Sequence, residues 1–494
     1  MMKFNSLKIL KKSIPTEVKD TAEKIKKAGF EAYLVGGCVR DLFLKRFPKD
    51  WDIATNATPQ EIQKIFPESI YENRFGTVGV KTNSEKESLK VIEVTTFRLE
   101  GKYTDKRHPD EIRFAETIEE DLARRDFTIN AIALDIQSLK VIDPYEGRKD
   151  LKNRIIRTVG ESKKRFSEDA LRLLRAVRLA VELDFEIEAQ TAEAIKEESR
   201  LLEMIAKERI RDELVKILMT PAAAKGILLL EDLNLLQFII PELREGIGCT
   251  QNKHHIYTVF EHNIRSLDYA AYKNYSLEIR LAALLHDIGK PRTKVGEGPD
   301  STFYNHEIVG AKMTFQILNR LKFSKEIIKK VTHLVRYHLF YYNVGEVTEA
   351  GVRRFIRRVG IENIADLIKI READRIGSGV PKAIPYKLRH LLFMIEKVKR
   401  DPIHPKMLAV KGDDVMRILK IEPGPKVGQI LSILLEDVLE DPTKNTKEFL
   451  ELKIKELGKL SANELEKMAQ KAKEKKEEFE LGIEEEIKKK YYIK

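Results

Sequence analysis

Two acids, Asp50 and Asp52, follow shortly after a glycine pair, Gly36-Gly37, in a chain of 494 residues. The glycines join the apolar run Leu34-Val35 to Cys38-Val39-Arg40-Asp41, and the acids flank Trp51 ahead of Ile53-Ala54-Thr55. This pattern predicts a strand, a glycine turn, a short helix and a second strand carrying the acids. Residues two apart on a strand share a face, so the two carboxylates make a site for a hard cation such as Mg2+. A glycine turn lets backbone approach a ligand closely, and a helix N-terminus offers free N–H groups to phosphate. Together they suggest phosphoryl or nucleotidyl transfer. Taken alone, the same residues are more often a tight turn followed by a solvent-facing strand edge, so the rest of the chain must decide.

A third acid, Glu93, lies in the apolar run from Leu89 to Phe97. It serves equally as an outward solubility residue or as a third member of the acidic cluster. Around these acids, Val18, Ala22, Ile25 and Ala28 recur at helical spacing, and Gly29 ends that helix. Thr58 and Pro59 form a helix start, and the runs 76–81 and 89–97 read as strands. Strands and helices mix to about residue 150, after which the pattern is almost wholly helical. The expected fold class is α+β, a small mixed β-sheet head followed by an elongated all-α remainder.

Composition narrows the class further. A net charge of +11 permits a polyanionic partner without identifying one. Cys38 and Cys249 are the two cysteines, far apart and outside any Cys-x-x-Cys pair, so a disulfide framework or thiolate zinc site is not expected. Lysines interrupt the first residues before a secretory core forms, and no run of about 18 apolar residues follows. The expectation is a cytoplasmic protein with no membrane partner.

The order of the motifs carries a family resemblance. The segments 34–41 and 50–55 resemble the head of class II (bacterial-type) tRNA nucleotidyltransferases and their poly(A) polymerase relatives. Arg124-Arg125-Asp126-Phe127-Thr128-Ile129-Asn130-Ala131 resembles that family's ribose-selecting segment. Asp143-Pro144-Tyr145-Glu146-Gly147 with Asp150-Leu151 resembles its hinge. Glu168-Asp169-Ala170-Leu171-Arg172-Leu173-Leu174-Arg175 resembles its base-reading helix, and Glu208-Arg209-Ile210-Arg211-Asp212-Glu213-Leu214 the motif that braces the neck. Such matches in the family's own order are hard to reach by chance.

The resemblance implies that Asp50 and Asp52 bind two Mg2+ ions, with Glu93 assisting, while an RNA 3′-hydroxyl attacks the α-phosphate of an NTP. Gly36, Gly37 and Arg40 would hold the triphosphate. Arg125, Asp126 and Asn130 would line the ribose, with Asp126 accepting from the 2′-hydroxyl. Asp169, Arg172 and Arg175 belong to the base-reading segment. Asp169 and Arg172, three apart, would share a helical face. A carboxylate only accepts and a guanidinium only donates. Cytosine and adenine both present an amino donor beside a ring-nitrogen acceptor, whereas uracil and guanine present the reverse order. One Asp/Arg pair can therefore accept C and A and leave unpaired groups against U and G. Without the family match, Asp-x-x-Arg is usually an ordinary helical salt bridge. The polar stretch 95–109 resembles the flexible loop of full CCA-adding members, and 75–78 looks more like the CCA side than the poly(A) side.

Seven of the 10 histidines fall between His254 and His338. The run Leu284-Leu285-His286-Asp287-Ile288-Gly289-Lys290 resembles the core of metal-dependent HD phosphohydrolases, and His262 and Asp374 supply that family's remaining ligands. Imidazole with carboxylate suits a divalent transition metal that activates water. His306 and His338 match a second ion site only loosely, and packing or solvent-facing roles stand equally open. Arg353, Arg354, Arg357 and Arg358 form a candidate phosphate track, although a charge run is usually a solvated face. Beyond about Ser461 mixed charges suggest an exposed helix.

The expected division is a catalytic head (1–150), a helical neck that recognises the base (151–235), an HD-type metal-binding domain (236–400) and a helical tail contacting tRNA (401–494). The expected activity is template-independent addition of CCA to tRNA 3′ ends from CTP and ATP. Three alternatives stand beside it: a poly(A) polymerase, a CC- or A-adding partial enzyme, and an HD phosphohydrolase whose head only binds RNA.

Overall fold

The computed structural model describes residues 12–71, 76–100, 112–252, 256–340, 342–345 and 347–470. Most of the 95–109 stretch, Phe75 and the chain beyond residue 470 lie outside the described residues. Backbone contacts divide the chain into two compact units. One holds the described residues through Cys249 together with Ala271–Leu281 and Phe315–Ile328; the other holds the remainder.

The first unit is built on a mixed sheet of β1 (Tyr33–Val35), β2 (Asp52–Thr55), β3 (Ile70–Tyr71), β4 (Thr77–Lys81), β5 (Val91–Thr96), β8 (Ala133–Leu134) and β9 (Val141–Ile142). Its spatial order is β3-β4-β5-β2-β1-β8-β9. A separate hairpin, β6 (Arg98–Glu100) with β7 (Ile112–Phe114), follows β5. Only β2 and β5 pair in parallel in the main sheet, with Asp52 opposite Glu93. In β5 Ile92 and Val94 are buried while Val91 and Glu93 face outward, so the pleat itself presents the acid. The run expected as one strand from Leu89 starts instead with a helical turn, Glu87–Lys90. Helix Thr16–Lys27 buries Val18, Ala22 and Ile25 as the periodicity predicts. Thr58 caps helix Pro59–Ile65, its hydroxyl accepting from Glu61 while Glu61 reaches back to the Thr58 N–H.

After the short parallel pair β10 (Ile155–Ile156) and β11 (Glu186–Ile187), the unit is helical. Helix Leu171–Leu183 is buried on most sides through Leu173, Leu174, Val177 and Ala180. Truncating one of those leucines to alanine costs about 2–5 kcal/mol. Helix Lys207–Leu218 lies against it, with Glu213 Oε2 2.7 Å from Arg178 Nε. Arg280, fully buried, donates to the carbonyls of Leu218 and Thr220 at 2.7 and 2.8 Å, supplying partners that a helix C-terminus leaves open.

The second unit is helical throughout its described residues apart from an isolated bridge between Val295 and Thr302. Its C-terminal part closes on a leucine- and isoleucine-rich core from Leu408 to Leu465. In the arginine run, two of the four candidate phosphate-track residues are already engaged by acids. Arg353 is buried with Asp401 at 2.6 Å and Glu349 at 3.1 Å, and Arg354 Nε donates to Glu436 at 2.7 Å. Among the described residues no helix is long and apolar enough to cross a membrane. Neither cysteine is in a disulfide, and burial pushes the Cys38 thiol up to about 12, which keeps it unreactive.

Candidate functional site

Gly36 begins the site because its backbone sits at φ 74°, where only glycine is unstrained. A Cβ there would lie 2.9 Å from Arg125 Nη1 and 3.4 Å from Asp52 Oδ2. The missing side chain therefore lets a guanidinium and a carboxylate meet over the turn. At Gly37 a Cβ would meet only the Arg40 guanidinium, at an ordinary 3.5 Å. The two glycines are thus unequal, and Gly36 carries the constraint.

β2 starts at Asp52, so Asp50 stands in the bend before the strand and not on it, as the two-residue spacing had suggested. The two acids are still neighbours. Burial pushes the Asp52 carboxyl up, Arg125 opposes that shift, and the charge of Asp50 adds to it. Glu93, in register with Asp52 on a neighbouring strand, shares its face. Crowded carboxylates of this kind repel one another and favour a bound cation. The donor set therefore fits Mg2+.

A polar chain starts at the same turn, where the Arg40 N–H donates to the Gly36 carbonyl at 3.2 Å. Arg40 donates through Nη1 to Asn130 Oδ1 at 2.8 Å and through Nε to Asp41 at 2.9 Å. Asn130 Nδ2 donates to Asp126 Oδ1 at 3.1 Å, and Asp126 Oδ2 lies 2.7 Å from Arg175 Nη2. Burial alone would raise the Asp126 pKa, but Arg175, Asn130, Arg172 and the Phe127 N–H hold it below the usual range. Asp126 is therefore an ionised acceptor within a buried setting. The segment is locked from behind: Asp150 Oδ2 accepts from Thr128 at 2.6 Å and from Arg157 at 2.9 Å. A Cβ on Gly147 would fall 2.1 Å from the Thr128 carbonyl.

Asp169 and Arg172 do not share a helical face. The helix ends at Glu168 and a new one begins at Leu171, with Asp169 extended between them at φ −137°, ψ 103°. Its carboxylate accepts from the Leu171 N–H at 3.1 Å, a local bond that competes with helix. The same carboxylate meets Arg209, at 3.1 and 3.4 Å, while Arg172 bonds Glu168 at 2.8 Å and the Arg124 carbonyl at 3.2 Å. Each of the two residues is thus braced by its own partner, which keeps them from forming the ordinary i,i+3 salt bridge with each other.

In the second unit, four histidines converge on Asp287. Asp287 Oδ2 lies 3.2 Å from His262 Nε2 and 3.4 Å from His286 Nε2, and its Oδ1 lies 3.4 Å from His306 Nε2 and 3.6 Å from His338 Nε2. Asp374 Oδ1 is 3.3 Å from His262 Nε2. The Nδ1 atoms of His286, His306 and His338 each meet the carbonyl three residues earlier, at 2.9, 2.7 and 2.7 Å. With Nδ1–H donating there, each ring turns its Nε2 inward. Two candidate metal groups result, His262/His286/Asp374 and Asp287/His306/His338. Burial would lower the His286 pKa, but Asp287 and Asp374 hold it up, to about 10, whereas burial drives His306 down to about 3. Lys290 Nζ sits 2.6 Å from Asp287 Oδ2 and 2.7 Å from Gln251 Oε1.

Comparison with known proteins decides the family. A model described as "Poly A polymerase head domain" matches residues 32–157, one described as "Probable RNA and SrmB- binding site of polymerase A" matches 184–247, and a tRNA nucleotidyltransferase domain 2 matches 305–454. The chain is 34% identical to a CCA-adding enzyme of Lactococcus lactis over 89% of this chain and 97% of the relative. An A-adding tRNA nucleotidyltransferase of Deinococcus radiodurans is 38% identical over 66% of this chain and 76% of its own. The structure of the Bacillus stearothermophilus CCA-adding enzyme in complex with CTP superimposes with a TM-score of 0.66 at 30% identity, covering 90% of this chain and 98% of that one. The chain belongs to the bacterial CCA-adding enzyme family of tRNA nucleotidyltransferases. It is therefore an enzyme with the family's α+β head and helical remainder.

Among the residues a CCA-adding enzyme would use, the head and neck positions expected from sequence come together in one unit: Gly36, Arg40, Asp52, Arg125, Asp126, Asn130 and Arg175 are joined by the contacts above. One participant was missed. Asp121, 1% exposed, accepts from Arg124 at 2.8 Å and from Arg125 Nη2 at 3.1 Å, and so aims the guanidinium that covers Gly36. Burial would raise its pKa, and the two arginines outweigh that effect. Substituting Asp121→Asn is expected to raise KM for NTP about tenfold, because a charge-assisted bond contributes about 1.5–3 kcal/mol. Initial-rate titrations with CTP check it. An unchanged KM would show that Arg125 holds its place without Asp121.

Proposed function

We propose that this chain adds C, C and A to tRNA 3′ ends from CTP and ATP without a template. The observation that carries the reading is the meeting of two side-chain groups at the Gly36 turn: Asp52 with Arg125 on one side, and the series Arg40, Asn130, Asp126 and Arg175 on the other, with the charge of Arg172 acting on Asp126. Asp50 and Asp52, helped by Glu93, would hold Mg2+, which when bound stabilises the attacking and leaving oxygens of an in-line displacement at phosphorus. Gly36 and Gly37 offer backbone N–H groups to the triphosphate, and Arg40 offers a fork of donors. Arg125, Asp126 and Asn130 line the ribose, where the ionised Asp126 can accept from a 2′-hydroxyl and so prefer NTP to dNTP. Asp169 and Arg172 read the base edge as acceptor and donor. The substrates, tRNA and NTPs, set the reaction in the cytoplasm. In this reading residues 1–150 are the head, 151–235 the neck, 236–400 an HD-type domain and 401–494 a tail that contacts tRNA.

Base reading gives a direct expectation. In Asp169→Ala, U and G lose the penalty of facing an unmatched acceptor, and C and A lose a partner. Because an unsatisfied buried group costs about 1–3 kcal/mol, the preference for CTP over UTP should fall about five- to 150-fold. Competition between CTP and UTP in single-nucleotide addition measures it; an unchanged ratio would remove Asp169 from the reading face. For the function as a whole, tRNA ending before CCA is incubated with each single labelled NTP and Mg2+. CTP alone should give two additions, and ATP should add one residue only to tRNA ending in CC. Long A tracts on unrelated RNA would mark a poly(A) polymerase, and arrest after CC a partial enzyme.

A second activity rests on a separate observation, the division of the Asp287 oxygens between two inward-facing histidine pairs. We infer an HD-type centre in which His262, His286, Asp287 and Asp374 hold a divalent transition metal, with His306 and His338 beside Asp287 for a second. The donor set is nitrogen and carboxylate, which suits such metals and a water held for attack on phosphorus. Its substrate class would be phosphate esters at RNA ends.

A further inference from the structure

Helix Tyr386–Val398, in the second unit, carries a row of rings that neither proposed centre uses. Tyr386, His390 and Phe393 stand at i, i+4 and i+7, with centroids 6.0 Å apart at each step. The outer two are 62% and 61% exposed, whereas Leu388, Leu391 and Ile395 on the opposite stripe are buried in the unit's core. The middle ring is fixed. The Tyr342 ring lies tilted beside it, centroids 5.8 Å apart, and its hydroxyl hydrogen-bonds His390 Nδ1. Large exposed rings are costly to leave in water, and a row of them held in one orientation suits flat partners.

The charges beside the rings narrow the partner. Lys387 and Arg389 lie exposed on the same helix, with Lys387 Nζ bonded to a neutral amide, Asn343 Oδ1. The helix contains one acid, Glu396, and Lys399 neutralises it. Rings flanked by cations, with the local acid already paired, are the composition of a surface that stacks nucleobases and tracks phosphates. A protein interface would also enrich aromatic rings but deplete lysine, whereas here Lys387 stands exposed beside the first ring.

We propose that the Tyr386–His390–Phe393 row is a stacking platform for unpaired bases of the RNA substrate, with Lys387 and Arg389 on adjoining phosphates. It rests on the reading that this chain acts on tRNA. The test measures binding of tRNA lacking CCA to the full chain, across a salt series, for wild type, Tyr386→Ala, Phe393→Ala and the double variant. Each single loss should weaken binding about tenfold without changing the slope of log affinity against log salt, and Tyr386→Phe should retain wild-type affinity. Arg389→Ala should lower that slope by about one instead. A blunt RNA duplex of similar length, which offers no unpaired base, should bind wild type and double variant alike. At saturating tRNA, kcat for CTP addition should be unchanged. A folded double variant with wild-type tRNA affinity would overturn the proposal. So would unchanged affinity together with a fall in oligomer size, which would make the row a contact between copies of this chain. A wild type that adds no nucleotide at all would instead strike the transferase reading, so the two failures are distinct.

Discussion

Asp52→Asn is expected to reduce nucleotide addition at least about a thousandfold at saturating CTP and tRNA. The substitution keeps the side chain's size and removes one of the two charges that would hold Mg2+. Metal stabilisation of a transferring phosphoryl group is worth several kcal/mol, and each 1.36 kcal/mol is a factor of ten. The loss should fall in kcat, since the ribose and base contacts are untouched. Stability should move the other way. Burial raises the Asp52 pKa in the folded protein, so its stabilising contribution is present below the unfolded pKa and lost as pH rises through the folded one. At neutral pH the charge is a stability cost, and the variant should melt no lower than wild type. Single-turnover addition and thermal melting together make the check. A variant that retains activity, or that loses it only by unfolding, would contradict the role given to Asp52. Asp50→Asn should resemble Asp52→Asn, and Glu93→Gln should lose less.

Asp287→Ala is expected to abolish stoichiometric binding of a transition metal and any phosphatase activity, while CCA addition continues. Asp287 is a member of one candidate group and lies 3.2 and 3.4 Å from the two histidines of the other, so its loss disturbs both. Metal affinity should fall by about a hundredfold or more, beyond the 10- to 100-fold typical of an outer-shell partner. The same change strands Lys290, whose ammonium is 2.6 Å from Asp287 Oδ2 in a buried setting. Breaking such a pair costs about 3–5 kcal/mol, so melting should fall too. Asp287→Ala combined with Lys290→Met separates these effects: it should recover stability but not metal. Elemental analysis after dialysis against Zn2+ or Mn2+, with hydrolysis of a chromogenic phosphodiester, measures both. Undiminished phosphatase activity in Asp287→Ala would remove the centre as its source.

The catalytic head was legible because its chemistry is written in short segments. A glycine that must hold φ 74°, acids at and just before a strand start and the buried Asp126-Phe127-Thr128 run each constrain residue type locally. What failed depended on partners distant in sequence or on a local break. The Asp169/Arg172 spacing implied one helix because i,i+3 pairs usually lie on one; the break at Asp169 had a signal, an aspartate immediately before an apolar helical run. The pairing of Arg353 and Arg354 was not legible because nothing in their own segment shows that Asp401 and Glu436 fold onto them. Asp121, in the first turn of helix Ile118–Ala123, was not singled out from sequence, although Arg124 and Arg125 at i+3 and i+4 gave a hint. The histidine centre was legible as a residue list but not as a geometry. The carbonyls that turn each Nε2 inward belong to Ala283, Phe303 and Val335, whose side chains carry no trace of that role.

If one protein site holds CTP and then ATP against an RNA 3′-hydroxyl, the composition of the product shows it. A tRNA transcript ending before CCA is incubated with the full chain, Mg2+ and all four NTPs together, and the intact product is weighed by mass spectrometry at completion. The expected product is heavier by two cytidylates and one adenylate and does not grow further. A product that stops at a different composition, incorporates U or G, or lengthens into an A tract would contradict it.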